Sequence, residues 1–341
     1  MSTDAPKNPS SPRPQKVASL LAEHDGAERI QEKYEEIYTQ SDEWLYAKSQ
    51  GVHSIVYALI AERLRGRSLL DVGCGAGRLA IMSAHEADRV TAFDFSGAAI
   101  AIAELNATCA GRQISFEVAD IHGFCERSDE TFDVVTMLGV LEHVEDPVRS
   151  LRDISSVMRD GGTLVVSCPN FINPRGFTYM TLLTLFDLPM SLADLRQVDY
   201  LDVRDWARQS GYAVEQVVGA LYRFAWDDKA VADMRKRVPL AIRDARLDLD
   251  PDYDRYGAWL RRVAEPMSDT LASLEARGVL QRIERPIELS FERNVAVGDE
   301  LWARMTDYMD EDIEADPFFS VEPPFCYLGG EAIYVLQKLP V

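Results

Sequence analysis

The segment at residues 69–80 constrains the fold more than any other part of the chain. It reads LLDVGCGAGRLA, in which a short apolar run contains one acid and is followed by three glycines at alternate positions and a helical pattern. Glycines between a strand and a helix let the backbone turn sharply and bring its N–H groups against a ligand, because no Cβ intervenes. The segment therefore predicts the first strand, ligand loop and helix of an open α/β sheet.

The pattern of this loop is compatible with two classes of cofactor. Residues 75–80 fit the dinucleotide pattern G-x-G-x-x-G/A, which indicates NAD(P) or FAD. Asp71 argues against them, because its carboxylate lies where a dinucleotide would bring an anionic pyrophosphate, at a cost on the order of a few kcal/mol. S-adenosyl-L-methionine (SAM) has no phosphate and carries an ammonium and a sulfonium cation. An acid at position 71 therefore favours SAM.

Four further apolar runs follow at the spacing of a doubly wound sheet. Residues 89–94 end on Asp94, about 20 positions beyond the glycine loop, where a second strand delivers a carboxylate to a ribose. Residues 114–121 contain a third strand that ends on Asp120. The continuous apolar run at 132–138 is typical of a buried parallel strand, and residues 158–170 give a turn and a fifth strand.

These blocks resemble motif I and the following motifs of class I SAM-dependent methyltransferases. Leu141-Glu142-His143-Val144 after the fourth strand resembles the branch that includes ubiquinone-biosynthesis O-methyltransferases and small-molecule tailoring enzymes. The resemblance covers roughly residues 50 to 220 and the last ten. It implies a Rossmann-like seven-stranded sheet, SAM as the cofactor, Asp94 at the ribose and Asp120 at the adenine amino group. The implied cofactor contacts are Asp71, Gly73, Cys74, Gly75, Gly77, Asp94, Phe95, Asp120, Ile121, Leu138 and His143.

Composition agrees with a soluble enzyme. The chain has 341 residues, of which 47% are hydrophobic, enough for a large core. It has no apolar run of about 18 residues and no signal-peptide design at its start, so we expect no membrane partner and a cytoplasmic location. The five cysteines are widely spaced and are expected to be reduced. The net charge of −20 disfavours nucleic acid as a partner.

Changes in pattern along the chain predict five segments. We expect a disordered leader at 1–16, an N-terminal helical segment at 17–64, a SAM-binding core at 65–222, a helical insertion at 223–328 and a final core strand within 329–341. The resemblance implies that the N-terminal helical segment folds over the cofactor. The alternative is that its aromatic residues simply pack on the sheet.

The insertion occupies a place where the family core needs only a short hairpin. Helical patterns at 230–246, 253–277 and 299–308 predict that it is mostly helical, with a sixth strand before it and an antiparallel seventh strand after it. It is expected to cap the acceptor pocket, to form a homodimer surface, or to do both. The apolar segment 171–197 leaves the ligand edge of the sheet and is either a lid or a plain buried helix.

Aromatic and amide side chains near these segments are the candidates for binding the methyl acceptor. Aromatic residues at the roots of the insertion are suited to wall an apolar pocket, although ordinary packing at the hinge accounts for them equally well. The candidate residues are Tyr38, Asn170, Tyr179, Phe186, Tyr222, Trp226 and Tyr327.

His143 is the candidate general base, because it follows the fourth strand and titrates near neutrality. A structural hydrogen bond at a helix start is the alternative role. Some relatives with Glu-x-x-Glu-His at this point bind a divalent cation. Gly139 occupies the first of those positions here, so no metal is expected.

The sequence thus predicts a SAM-dependent methyltransferase that modifies an oxygen or nitrogen atom of a small molecule. The alternatives are a methyltransferase of peptides or proteins, a nicotinamide-dependent oxidoreductase, and a non-catalytic partner protein with the SAM fold. Asp71 and the absence of a substrate-side catalytic pattern argue against the oxidoreductase, and the intact acids Asp71, Asp94 and Asp120 argue against the non-catalytic protein.

Overall fold

A computed structural model describes residues 31–32, 34–35, 38–39, 51–186, 195–244, 251–283, 316 and 318–340. The predicted leader at 1–16 and the predicted helix at 299–308 lie outside these residues. Gln31, Glu32, Tyr34, Glu35, Tyr38 and Thr39 are helical and are called the leading segment below.

Helices and strands alternate from residue 51 to residue 186, and a further helix and strand follow. They are α1 Gly51–Leu64, β1 Ser68–Val72, α2 Arg78–Ser83, β2 Arg89–Asp94, α3 Gly97–Cys109, β3 Ser115–Val118, α4 Ile121–Arg127, β4 Phe132–Leu138, α5 Pro147–Ser156, β5 Met158–Pro169, α6 Pro174–Phe186, α7 Tyr200–Gln209 and β6 Tyr212–Ala220. The remainder contains α8 Tyr222–Trp226, α9 Asp228–Asp244, α10 Tyr253–Ala276, β7 Gln281–Arg282, β8 Phe318–Ser320, a 3-10 turn at Phe325–Tyr327 and β9 Glu331–Lys338.

The strands form one mixed sheet in the order β3-β2-β1-β4-β5-β9-β6-β8-β7. The pairs from β3 to β5 are parallel, whereas β9 runs antiparallel between β5 and β6. Strand β1 is buried at every residue, as the continuous apolar run predicts for a strand covered on both faces. The carboxyl ends of β1 to β5 therefore meet at one edge, together with the start of β9.

Within the described residues, the sheet has two more strands than the predicted seven. Strands β7 and β8 come from the insertion, and β8 pairs with the end of β6 through Gly219–Ser320 and Ala220–Phe319. Each is only two or three residues long, which is too short for an alternating pattern to be visible in the sequence. The described part of the insertion therefore consists of helices with a small extension of the sheet at its root.

Helix α6 packs on the insertion helices rather than on the sheet alone. Tyr179 of α6 shares a buried apolar cluster with Val231 and Met234 of α9 and Leu260 of α10. Residues 174–186 of the apolar segment thus form a helix that follows the carboxyl end of β5 and packs on the insertion.

The turn after β1 requires glycine at position 77. Gly77 has a φ of +79°, and an added Cβ would lie 2.9 Å from Ala103 Cβ of α3. A side chain there would suffer both left-handed backbone strain and a clash between α2 and α3.

Gly77→Ala is expected to lower the free energy of unfolding by about 2–4 kcal/mol, as measured by urea denaturation. Gly111→Ala is the matched control, because Gly111 has a φ of +64° with no atom within 4 Å of an added Cβ. The control isolates the backbone strain of about 1–2 kcal/mol. Equal losses in the two variants would show that α3 does not approach the loop closely.

Candidate functional site

The glycine loop folds back onto the end of β2. The backbone N–H groups of Gly73 and Cys74 both donate to the carbonyl of Phe93, at 2.9 and 3.1 Å. Gly75 has a φ of +51°, and a Cβ added there would lie 2.5 Å from the hydroxyl of Tyr38. The loop is therefore a tight backbone cradle between β1 and the leading segment.

Asp71 lies buried beneath this loop. It is 3% exposed and accepts a hydrogen bond of 2.7 Å from the hydroxyl of Thr136 in β4. Burial raises the pKa of Asp71 to about 7, and the hydrogen bonds from Thr136 and the backbone of Ala80 oppose that shift. The carboxyl group thus links β1 to β4, and a cation nearby would stabilise its charged form.

Asp94 ties the loops after β1 and β2 together. Its Oδ2 accepts from the N–H of Gly75 at 3.0 Å, and its Oδ1 accepts from the N–H of Ser96 at 2.9 Å. Burial raises the pKa of Asp94, and both backbone hydrogen bonds act against this rise. The residue next along, Phe95, is half-buried beside it.

The third acid, Asp120, occupies an exposed position at the start of α4. It caps that helix by accepting from the N–H of Gly123 at 2.8 Å. Ile121 packs against the main apolar core, and Leu138 ends β4 as a half-buried residue. Since β3, β2, β1 and β4 are adjacent, the predicted cofactor contacts are brought together along one continuous edge.

The leading segment lies across this edge. Gln31 donates to the carbonyl of Phe95 at 2.9 Å. Glu35 accepts from the hydroxyl of Ser96 at 2.6 Å and from the N–H of Ala98 at 3.0 Å. Tyr38 completes the same helical face, and burial together with Asp94 raises its pKa well above the usual range. The segment covers the loops after β1 and β2.

His143 lies where the leading segment meets the loop after β4. Its Nε2 is 2.9 Å from the hydroxyl of Tyr34 and 4.0 Å from Oε1 of Glu142. The His143 side chain is 14% exposed, whereas Glu142 is buried. The phenol of Tyr34 and the carboxyl group of Glu142 therefore both lie near Nε2 of His143, the candidate base.

Glu331 is a site residue that the sequence reasoning missed. Burial raises the pKa of Glu331 to about 8, the carboxyl group of Glu142 adds to the rise, and a hydrogen bond with Ser167 opposes it. The antiparallel direction of β9 is what brings this first residue of the strand to the carboxyl edge beside β5. The acids Glu142 and Glu331 thus lie close enough to each other to interact electrostatically.

Three of the candidate acceptor residues lie at the junction of the insertion and the core. Asn170 donates to the carbonyls of Tyr327 and Gly329 at 2.7 and 2.8 Å. Tyr222 is 1% exposed and donates to the carbonyl of Phe325 at 2.5 Å, while the indole of Trp226 donates to the carbonyl of Leu328 at 2.7 Å. Packing and hydrogen bonding at the hinge account for these side chains.

The remaining candidates are spread along the covering elements. Tyr179 is buried and its hydroxyl lies 3.2 Å from Asp233 of α9, whereas Phe186 at the end of α6 is 52% exposed. The ring of Tyr327 packs on Tyr200 at 5.2 Å between centroids. Tyr38 is the candidate that lies directly against the glycine loop.

Within the described residues, no group of three or more His, Cys, Asp or Glu side chains is arranged to hold a metal ion. None of the described helices is both long and apolar enough to cross a membrane.

Comparison with known proteins identifies the family. Residues 64–210 match the model of a methyltransferase domain. The ubiquinone biosynthesis O-methyltransferase of Azotobacter vinelandii is 32% identical over 164 residues, which are 47% of this chain and 70% of that protein. The corresponding enzyme of Stutzerimonas stutzeri is 29% identical over 163 residues, again 47% of this chain and 70% of that protein. The chain belongs to the class I SAM-dependent methyltransferases.

Among solved structures, magnesium protoporphyrin IX methyltransferase from Synechocystis PCC 6803 aligns with a TM-score of 0.44 and 21% identity. The alignment covers 56% of this chain and 91% of that one.

SAM is the cofactor of this methyltransferase, and its chemistry fits the residues present. The two buried carboxyl groups beside the glycine loop, Asp71 and Asp94, suit cationic and hydroxyl groups rather than phosphate. An ammonium group close to Asp71 would offset the burial that raises its pKa.

The raised pKa of Asp71 predicts that stability falls with rising pH. The group titrates near 3.8 in the unfolded chain and near 7 in the folded protein, so the folded state binds the extra proton between about pH 4 and 7. The free energy of unfolding therefore declines across that window. Without ligand, Asp71→Asn should gain about 2–4 kcal/mol relative to wild type between pH 4 and 8, measured by urea denaturation. A difference that does not change with pH would contradict the burial of an ionisable Asp71.

Proposed function

We propose that this methyltransferase transfers the methyl group of SAM to a hydroxyl oxygen or amine nitrogen of a small molecule. One observation carries the proposal. The leading segment covers both the loops proposed to bind SAM and His143, and the hydroxyl of its Tyr34 lies 2.9 Å from His143 Nε2. The relatives that are named ubiquinone biosynthesis O-methyltransferases support methyl transfer to oxygen.

Each cofactor contact follows from a position on the carboxyl edge. We propose that Asp71 faces the ammonium group, the glycine loop follows the methionine part, and Asp94 accepts hydrogen bonds from the ribose hydroxyls. Asp120 would accept from the adenine amino group. The apolar contacts would come from Cys74, Phe95, Ile121 and Leu138, and His143 would lie on the methyl side.

The bound SAM supplies a methyl group on a sulfonium, which is a good leaving group. The main task of the protein is then to align the acceptor atom with the C–S bond and to exclude water. The leading segment covers one side of the site, while α6 and the insertion rise from the β5 side. Such enclosure favours a small acceptor over a polymer.

His143 would remove the proton that the acceptor loses. Glu142 Oε1 lies 4.0 Å from Nε2, and a carboxylate at that distance stabilises the imidazolium formed after proton transfer. The insertion would select the acceptor, because its helices join α6 at the edge next to β5. A role of the insertion in a homodimer is compatible with that task.

Asp94→Ala should weaken SAM binding by about 1.5–3 kcal/mol, since two charge-assisted hydrogen bonds to the ribose are lost. Titration calorimetry with SAM and with S-adenosylhomocysteine (SAH) measures the loss, and NAD(H) should not bind. Asp88→Ala is the matched control, because Asp88 is exposed just before the opposite end of β2. Unchanged affinity in a folded Asp94→Ala protein would remove Asp94 from the ribose site.

His143→Ala should lower kcat for transfer to a hydroxyl by roughly 10²–10⁴-fold, the usual contribution of a general base. The acceptor is found by supplying methyl-labelled SAM with phenols, catechols, amines and short peptides, and His85→Ala serves as the exposed histidine control. Labelling of peptides alone would contradict a small-molecule acceptor. An unchanged kcat in His143→Ala would show that no base is needed at this position.

A further inference from the structure

The proposed base lies on a loop that regular secondary structure does not support. Residues 141–145 follow β4 as turns and irregular backbone, and they are called the His143 loop below. The N–H of His143 donates to the carbonyl of Val140 at 3.0 Å. A helix or strand pairs its own carbonyl groups, whereas the buried carbonyl groups of such a loop need donors from elsewhere in the fold. The place of His143 therefore depends on what binds the backbone of this loop.

Arg196 binds three of these carbonyl groups. Its Nη1 donates to the carbonyl of Leu141 at 3.3 Å and to the carbonyl of Val144. Its Nη2 donates to the carbonyl of Glu145 at 2.8 Å. Arg196 is 4% exposed, so its donors have little water to bind instead. A single guanidinium thus ties together the two ends of the His143 loop.

Contacts outside the loop fix the Arg196 guanidinium. It lies over the ring of Trp206 in α7, at 5.9 Å from the centroid. Burial raises the pKa of Asp202 in the same helix to about 6, and the positive charge of Arg196 opposes that rise. The neighbouring N–H of Leu195 donates to the carbonyl of Glu142 at 2.9 Å. Residues 195 and 196 therefore connect the His143 loop to α7.

We propose that Arg196 is a positioning residue that holds the His143 loop in the place from which His143 acts on the acceptor. The inference rests on the proposed role of His143 as the base. The fixed fork of a guanidinium can donate to three carbonyl groups at once, whereas a lysine ammonium is a point charge on a flexible stem. Loss of the fork frees the backbone of the loop, and the imidazole moves with it.

Hydrogen–deuterium exchange of the whole chain, read by mass spectrometry of peptides that span residues 139–146, tests the hold on the loop. In ligand-free Arg196→Met, which keeps the aliphatic stem, these peptides should exchange about tenfold faster or more. Arg196→Lys keeps the buried charge and gives the same test if Arg196→Met does not fold. Arg152→Met is the matched control, because Arg152 donates through two nitrogens to the carbonyl of Gln209 at an exposed position. Exchange as slow as in wild type in a folded Arg196 variant would overturn the proposal.

Kinetics separate positioning from a purely structural role. With the phenol, catechol or amine that the labelled-SAM screen finds, Arg196→Met should lower kcat about tenfold or more, while the Kd for SAH stays within about threefold. In the His143→Ala background the same change should have little further effect, because Arg196 acts through His143. An equal loss of kcat in both backgrounds would overturn the proposal.

Failure of the proposed function shows separately, as labelling of no acceptor or as an unchanged kcat in His143→Ala alone. The exchange experiment needs neither SAM nor an acceptor, so it still decides whether Arg196 holds the His143 loop.

Discussion

The carboxyl group of Asp94 holds the cofactor site together. One oxygen accepts from Gly75 in the loop after β1 and the other from Ser96 in the loop after β2. Without it, the buried N–H of Ser96 and the partly buried N–H of Gly75 would need other partners, at about 1–3 kcal/mol for a buried group left unsatisfied. The leading segment is attached to the same loop after β2, because Glu35 accepts hydrogen bonds from Ser96 and Ala98. The loops proposed to hold SAM and the segment that covers them therefore depend on one another.

The distribution of carboxyl groups along the carboxyl edge explains why the candidate site suits SAM. It also explains why these groups lower the stability of the folded protein when no cation is near them. Burial raises the pKa of Asp71 and of Asp94 at the cofactor end, and of Glu331 at the β5 end. Buried carboxyl groups with shifted pKa values are typical of functional sites, since a purely structural core would replace them with apolar side chains. A cationic ligand relieves the cost that these groups impose on the folded protein.

Much of the core could be predicted because its signals are local. The strand, glycines and helix at 69–80 are adjacent in sequence, and the parallel strands are continuous apolar runs. Strands β7 and β8 could not be predicted, because two or three residues hold no periodicity. Tyr34 and His143 are 109 positions apart, so no spacing rule connects them. Tyr222 and Trp226 show a further limit, because an aromatic residue at the root of an insertion has the same sequence signature whether it packs or binds.

A crystal structure of the protein with bound SAH tests the central claim most directly. The account predicts both ribose hydroxyls within about 2.6–3.2 Å of Asp94, adenine beside Asp120, and the leading segment closed over the ligand with Tyr34 still on His143. Ligand density elsewhere, or a ribose held by other residues while Asp94 keeps only its two backbone partners, would contradict it.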